Sequence, residues 1–174
     1  MAHLTFITGG SRSGKSSHAI ALAAAAPPGA RRYFIATAEA LDDAMRARIA
    51  HHRATRPAGM ITVEEPIAPA TALAALEGRA DIAVLDCLTL WIANLMGRGL
   101  ADDAIMNEAG ALAAAMRRAS FTIVVVSDEV GSGIVPDNPA ARRFRDLLGW
   151  TNQTIARAAD EAVLMASGYP LKLK

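Results

Sequence analysis

The octapeptide Gly9-Gly10-Ser11-Arg12-Ser13-Gly14-Lys15-Ser16 constrains this chain more than any other feature. It satisfies G-x-x-x-x-G-K-[ST], follows an apolar run at residues 3–8 and precedes an alanine-rich stretch at residues 16–26. Between a strand and a helix, such a loop turns its backbone N–H groups inward around phosphate oxygens. The helix aims its N-terminus at the same anion, Lys15 adds a point charge, and Ser16 offers a hydroxyl to Mg²⁺. The loop therefore marks a nucleoside triphosphate site and requires a strand–loop–helix unit around it.

The rest of the chain repeats that unit. Strand-like runs fall at residues 33–37, 60–63, 81–86 and 121–126, and helical stretches at 44–54, 69–77, 88–95, 101–118 and 140–160. Residues 162–166, with 171–173, are expected to close the sheet. Runs 81–86 and 121–126 are almost continuously apolar, as strands buried on both faces of a parallel sheet are. Strands alternating with helices predict an α/β fold, a P-loop three-layer sandwich with a mostly parallel central sheet and helices on both faces. No linker or repeat divides residues 1–174, so a single domain is expected.

Composition narrows the function classes. Hydrophobic residues supply 52% of the 174, and alanine more than a fifth, which favours helices and close packing over a β-sandwich. A net charge of +1 provides no broad field for nucleic acid or an anionic membrane. The single cysteine, Cys87, excludes a disulfide framework. The apolar stretch at residues 19–27 is too short to span a bilayer, and residues 1–7 lack a basic n-region. A cytoplasmic protein is expected.

Asp86, ending its apolar run, is the natural acidic partner of the loop and a candidate Mg²⁺ ligand alongside Ser16; helix capping is its other reading. Asp128 and Glu129 follow the next strand at the same sheet edge, as a solvated turn or as part of the site. His51 and His52 lie among arginines on a predicted helix. Histidine serves as nucleophile, base or ligand, and a basic, solvated helix end explains the same residues.

Taken in order, these motifs resemble the bifunctional adenosylcobinamide kinase/adenosylcobinamide-phosphate guanylyltransferase family of cobalamin biosynthesis. The resemblance spans nearly the whole chain. It rests on the phosphate loop, on Phe34-Ile35-Ala36-Thr37-Ala38 with Leu41-Asp42-Asp43-Ala44-Met45, and on Arg48-Ile49-Ala50-His51-His52-Arg53 with Arg56-Pro57-Ala58. Thr62-Val63-Glu64-Glu65-Pro66, Asp86-Cys87-Leu88-Thr89, Glu129-Val130-Gly131, Gly133-Ile134-Val135-Pro136 and Asn152-Gln153 continue it.

The resemblance implies phosphorylation of adenosylcobinamide by ATP or GTP, then GMP transfer from GTP to adenosylcobinamide phosphate. It makes His51 the nucleophile that carries GMP, with Lys15 acting in the phosphoryl transfer. It places nucleotide contacts on Gly9, Gly10, Ser11, Arg12, Ser13, Gly14, Lys15 and Ser16, and on Ala36, Thr37 and Ala38. The remaining contacts fall on His52, Arg53, Ala54, Thr55, Glu64 and Asp86, and a homotrimer is implied. Asp128 stands where the pattern leads us to expect Asn, Met60 where we expect Trp, and Trp150 where we expect Arg. A small-molecule kinase without guanylyltransferase activity is the alternative, and a non-catalytic nucleotide-binding module a more distant one.

Overall fold

Alternation of buried side chains along each strand divides the molecule into two apolar layers, one on either face of a single sheet. The computed structural model describes residues 2–40, 42–54 and 56–174, with Ala44, Arg48, His51 and His52 described by their backbone alone. In chain order the elements are β1 (Leu4–Gly9), α1 (Lys15–Ala24), β2 (Arg32–Ala36), α2 (Asp43–Ala54), β3 (Met60–Glu64), α3 (Pro69–Ala75) and β4 (Ile82–Asp86). They continue with α4 (Leu88–Gly97), α5 (Asp102–Arg118), β5 (Thr122–Val126), α6 (Pro139–Ala158), β6 (Glu161–Ala166) and β7 (Tyr169–Lys172). The sheet order is β3-β2-β4-β5-β1-β6-β7, parallel throughout except for β7, which runs antiparallel to β6.

The two layers differ in what fills them. Leu4 and Phe6 of β1, Ile35 of β2, Leu85 of β4 and Val125 of β5 face a cluster built with α3 to α6, including Trp91, Ile92, Leu112 and Leu147. Their sequence neighbours Ile7, Phe34, Val84 and Val126 face α1, which contributes Ala19 and Ala23. Burying a large aliphatic or aromatic side chain stabilises by roughly 1.5–3 kcal/mol. The α3–α6 side therefore carries most of the hydrophobic stabilisation. Alanines at i and i+4 instead let α1 lie close to the sheet and hold the loop before it near the strand ends.

Local signals explain the element ends. α5 carries Asp102 and Asp103 in its first turn and Arg117 and Arg118 in its last, matching the helix dipole at both ends. α6 is capped by Asn138, whose side chain accepts from the Ala140 and Ala141 N–H groups, and Pro139 fills its first turn. Ser167 (φ 51°) and Gly168 (φ 88°) make the two-residue turn that brings β7 back along β6.

The chain leaves β1 for β2 on one side of the sheet and crosses from β5 to β6 on the other. That reversal opens a crevice at the carboxyl ends of the strands, the position where open α/β sheets bind ligands.

At the opposite end of β2, Arg31 grips Asp81 just before β4. Its Nη2 donates to Oδ1 at 2.9 Å, and its Nε and backbone N–H donate to Oδ2 at 3.0 and 2.8 Å. These side-chain and then backbone hydrogen bonds bring the Asp81 carboxyl down to about 2 from 3.8. A pKa lower in the folded than in the unfolded chain stabilises above the unfolded value and is lost as pH falls through the folded one. Asp81→Asn is expected to melt below the parent at pH 7, with the gap closing between about pH 4 and pH 2; thermal melts across that window measure it.

Candidate active site

β1 ends at Gly9, behind which the β6 backbone passes so closely that a Cβ would stand 2.4 Å from the Met165 carbonyl oxygen. Glycine is required there to bring the loop against β6. At the far end, Gly14 (φ 97°) caps α1 in the left-handed region that glycine adopts without strain. The loop between them reverses through Ser13 N–H donating to the Gly10 carbonyl at 3.3 Å. Residues Ser11 to Ser16 then line a cleft completed by Asp86, Val126 and Asp128.

Lys15 lies in this cleft with 7% of its surface exposed. Its Nζ donates to the Gly10 carbonyl at 2.7 Å and sits 2.6 Å from Asp128 Oδ1. Asp128 is fixed on both sides: its N–H donates to Thr89 Oγ1 at 2.8 Å, and its carbonyl accepts from Asn152 Nδ2 at 3.1 Å. Asp86 ends β4, half-buried, on the same cleft wall.

A second cleft adjoins the first and shares Ser16, Asp86 and Cys87 with it. Phe34, Ala36 and Leu90 form its apolar base, and Met45, Ile49 and Arg53 of α2 line its wall at i, i+4 and i+8. Arg53 pairs with Glu64. The Arg56 guanidinium lies 3.6 Å from the Phe34 ring centroid and donates to Thr62 Oγ1 at 2.7 Å. Burial lowers its pKa, opposed by the Asp86 charge, and an arginine so shifted stays charged near neutrality. The cleft thus offers a flat apolar floor, a cation and a carboxylate, which suits a purine base.

The residues expected from the sequence divide accordingly. Lys15, Ser16 and Asp86 meet at the phosphate cleft, and Ala36, Ala38, Arg53 and Glu64 line the second. Ala54 closes α2 at an exposed position. His51 and His52 lie in the last turn of α2 with their side chains outside the described atoms, and Thr55 lies outside the described residues. Ser16 and Asp86 are hard oxygen donors, the chemistry Mg²⁺ takes when its other ligands are waters and phosphate oxygens. Met60 opens β3, half-buried beside the α1-side layer, while Trp150 is half-exposed on α6.

Sequence reasoning missed the Lys15–Asp128 pair and the Arg56–Phe34 stack. The first joins residues 15 and 128 across a β1–β5 pairing that no local pattern reports. Thr37 holds the site together rather than pointing into it: fully buried, its Oγ1 donates to the Cys87 carbonyl at 2.7 Å and accepts from the Cys87 N–H at 2.8 Å. The Cys87 thiol is pushed up to about 12, first by burial and then by the Asp86 charge, so it stays protonated.

A phosphate loop with a buried lysine, a carboxylate at the end of β4, one strand removed from β1, and an adjoining apolar cleft define a P-loop nucleotide-binding α/β protein. Residues 5–173 match the model of the cobinamide kinase / cobinamide phosphate guanyltransferase family, and the chain belongs to that enzyme family. It is 42% identical over 183 residues to the bifunctional adenosylcobalamin biosynthesis protein CobU of Salmonella typhimurium, covering 98% of this chain and 99% of the relative. It is 41% identical over 170 residues to the bifunctional adenosylcobalamin biosynthesis protein CobP of Pseudomonas aeruginosa, covering 97% and 95%. The CobU protein of Escherichia coli is 38% identical over 183 residues, covering 98% and 99%. Among the described residues, no helix is long and apolar enough to cross a membrane.

Thr37→Val keeps the side-chain shape but leaves the Cys87 N–H unpaired; the Cys87 carbonyl retains the Trp91 N–H at 3.2 Å. Unfolding free energy in urea is expected to fall by about 1–3 kcal/mol, with Thr37→Ser recovering most of it.

Proposed function

We propose that one domain, residues 1–174, carries out two successive transfers on adenosylcobinamide. In the first, the aminopropanol hydroxyl oxygen attacks the γ-phosphorus of ATP or GTP. The bond to the β-phosphate bridging oxygen breaks, the nucleoside diphosphate leaves, and the hydroxyl proton is lost. Lys15 neutralises charge that develops on the transferred group. Mg²⁺, held by Ser16 and Asp86, supplies further neutralisation when bound.

In the second, a ring nitrogen of His51 attacks the α-phosphorus of GTP, and pyrophosphate leaves. A phosphate oxygen of adenosylcobinamide phosphate then attacks the same phosphorus. The N–P bond breaks, giving adenosylcobinamide-GDP and free His51. The loop residues Gly9 to Ser16 and Asp86 contact the phosphates, while Ala36, Ala38, His52, Arg53, Ala54, Thr55 and Glu64 surround the nucleoside and Thr37 braces the strand end behind them. The enzyme works as a homotrimer in the cytoplasm.

One observation carries this reading. The phosphate cleft and the second cleft adjoin and share Ser16, Asp86 and Cys87, and α2, the helix bearing His51 and His52, forms a wall of the second. A P-loop kinase needs the first cleft; an arm bearing histidine beside the second suits nucleotidyl transfer.

Intact mass after incubation with GTP and Mg²⁺, without corrinoid and quenched at alkaline pH, tests it. A GMP adduct on the parent and none on His51→Ala is the expected result. An adduct that persists in His51→Ala moves the chemistry to His52 or elsewhere, and absence from both leaves a kinase alone.

A further inference from the structure

Lys15 is held by its own protein at the place where a nucleotide would need it. An ammonium has three donors. Here one goes to the Gly10 carbonyl at 2.7 Å, and the Asp128 carboxylate stands 2.6 Å away. The lysine side chain is 8% exposed, so its charge has little access to solvent, whereas Asp128 at 32% has an open side. A buried ammonium without a partner is costly, and a carboxylate in contact offsets that cost.

In this loop class the lysine meets the β- and γ-phosphates. Those oxygens and the Asp128 carboxylate are negative, and both require the same ammonium. The Asp128 backbone is tied to Thr89 and Asn152, so the residue cannot withdraw as a whole. Its side chain turns about its own bonds while its charge remains on the cleft lining, which it shares with Asp86.

We infer that Asp128 is the resident counter-ion of Lys15, which a nucleoside triphosphate must displace, and that this exchange sets the loop's affinity for triphosphates. The inference rests on the reading of the loop as a triphosphate site. Asp128 is an affinity-setting residue and takes no part in bond making. Asp128 keeps the Lys15 ammonium in place, and the two opposite charges offset each other. Nucleotides that end at the α-phosphate do not reach the lysine and are indifferent to the exchange.

Titration of GTP, supplied throughout as its α,β-methylene analogue so that His51 cannot be guanylylated, and of GMP into the parent, Asp128→Asn and Asp128→Ala, each in Mg²⁺ buffer, tests this. Removing the competing charge is expected to tighten GTP by roughly tenfold in both variants, with GMP changing less than twofold. Unchanged or weaker GTP binding by variants that bind GMP normally overturns the inference. Equal tightening of GTP and GMP also overturns it, since a general reshaping of the site then explains the gain.

A measurement on the unaltered protein covers the case in which the variants do not fold. The chain has three lysines, Lys15, Lys172 and Lys174, so its ammonium NMR spectrum is simple. A slowly exchanging Lys15 ammonium, close to the Asp128 β-protons when empty and separated from them at saturating GTP, supports the exchange. Proximity that survives saturation refutes it. A parent protein that binds GMP but no GTP overturns the triphosphate reading of the loop, a result distinct from GTP binding that is insensitive to residue 128.

Discussion

The parallel pairing of β1 with a strand on each side, β5 on one and β6 on the other, governs the rest of the structure. A strand so flanked has no free edge, so the chain can only leave it at the end, through the phosphate loop. β6 presses its backbone against Gly9, and β5 delivers Asp128 to Lys15. The loop is therefore shaped from both sides by strands remote in sequence. Its lysine is positioned by the ladder as much as by the helix that bears it.

The two faces of the sheet divide stability from function. Large side chains crowd the α3–α6 face, where removing one typically costs 2–5 kcal/mol or more. The α1 face is thin, and its helix touches the sheet through alanines. Among the described side chains, none of α2 belongs to either core; Met45, Ile49 and Arg53 instead wall the second cleft.

Much of this was legible in the sequence, for physical reasons. Strand positions followed from period-two alternation and continuous apolar runs, and the phosphate cleft from eight adjacent residues whose chemistry is local. Element ends differed by one or two residues where caps decide them: α6 starts at Pro139 because Asn138 caps it. The pairing of β7 as an antiparallel return was set by Ser167-Gly168, a turn signal weaker than the hydrophobic pattern around it. Contacts between distant segments left no trace. Thr37, a strand end and an implied nucleotide contact in the sequence, gives no sign that its hydroxyl binds the Cys87 backbone, and Asp128 reads equally as a turn or as part of the site until β5 lies beside β1.

The buried state of Cys87 has a practical bearing on chemistry done to the protein. A thiol pushed up to about 12 and largely buried reacts slowly with maleimides and mild oxidants at neutral pH. The chain contains no other sulfhydryl. A cysteine placed at an exposed site on α2 would therefore be by far the more reactive thiol, and a single fluorophore or spin label could report on the surroundings of that helix with little background labelling.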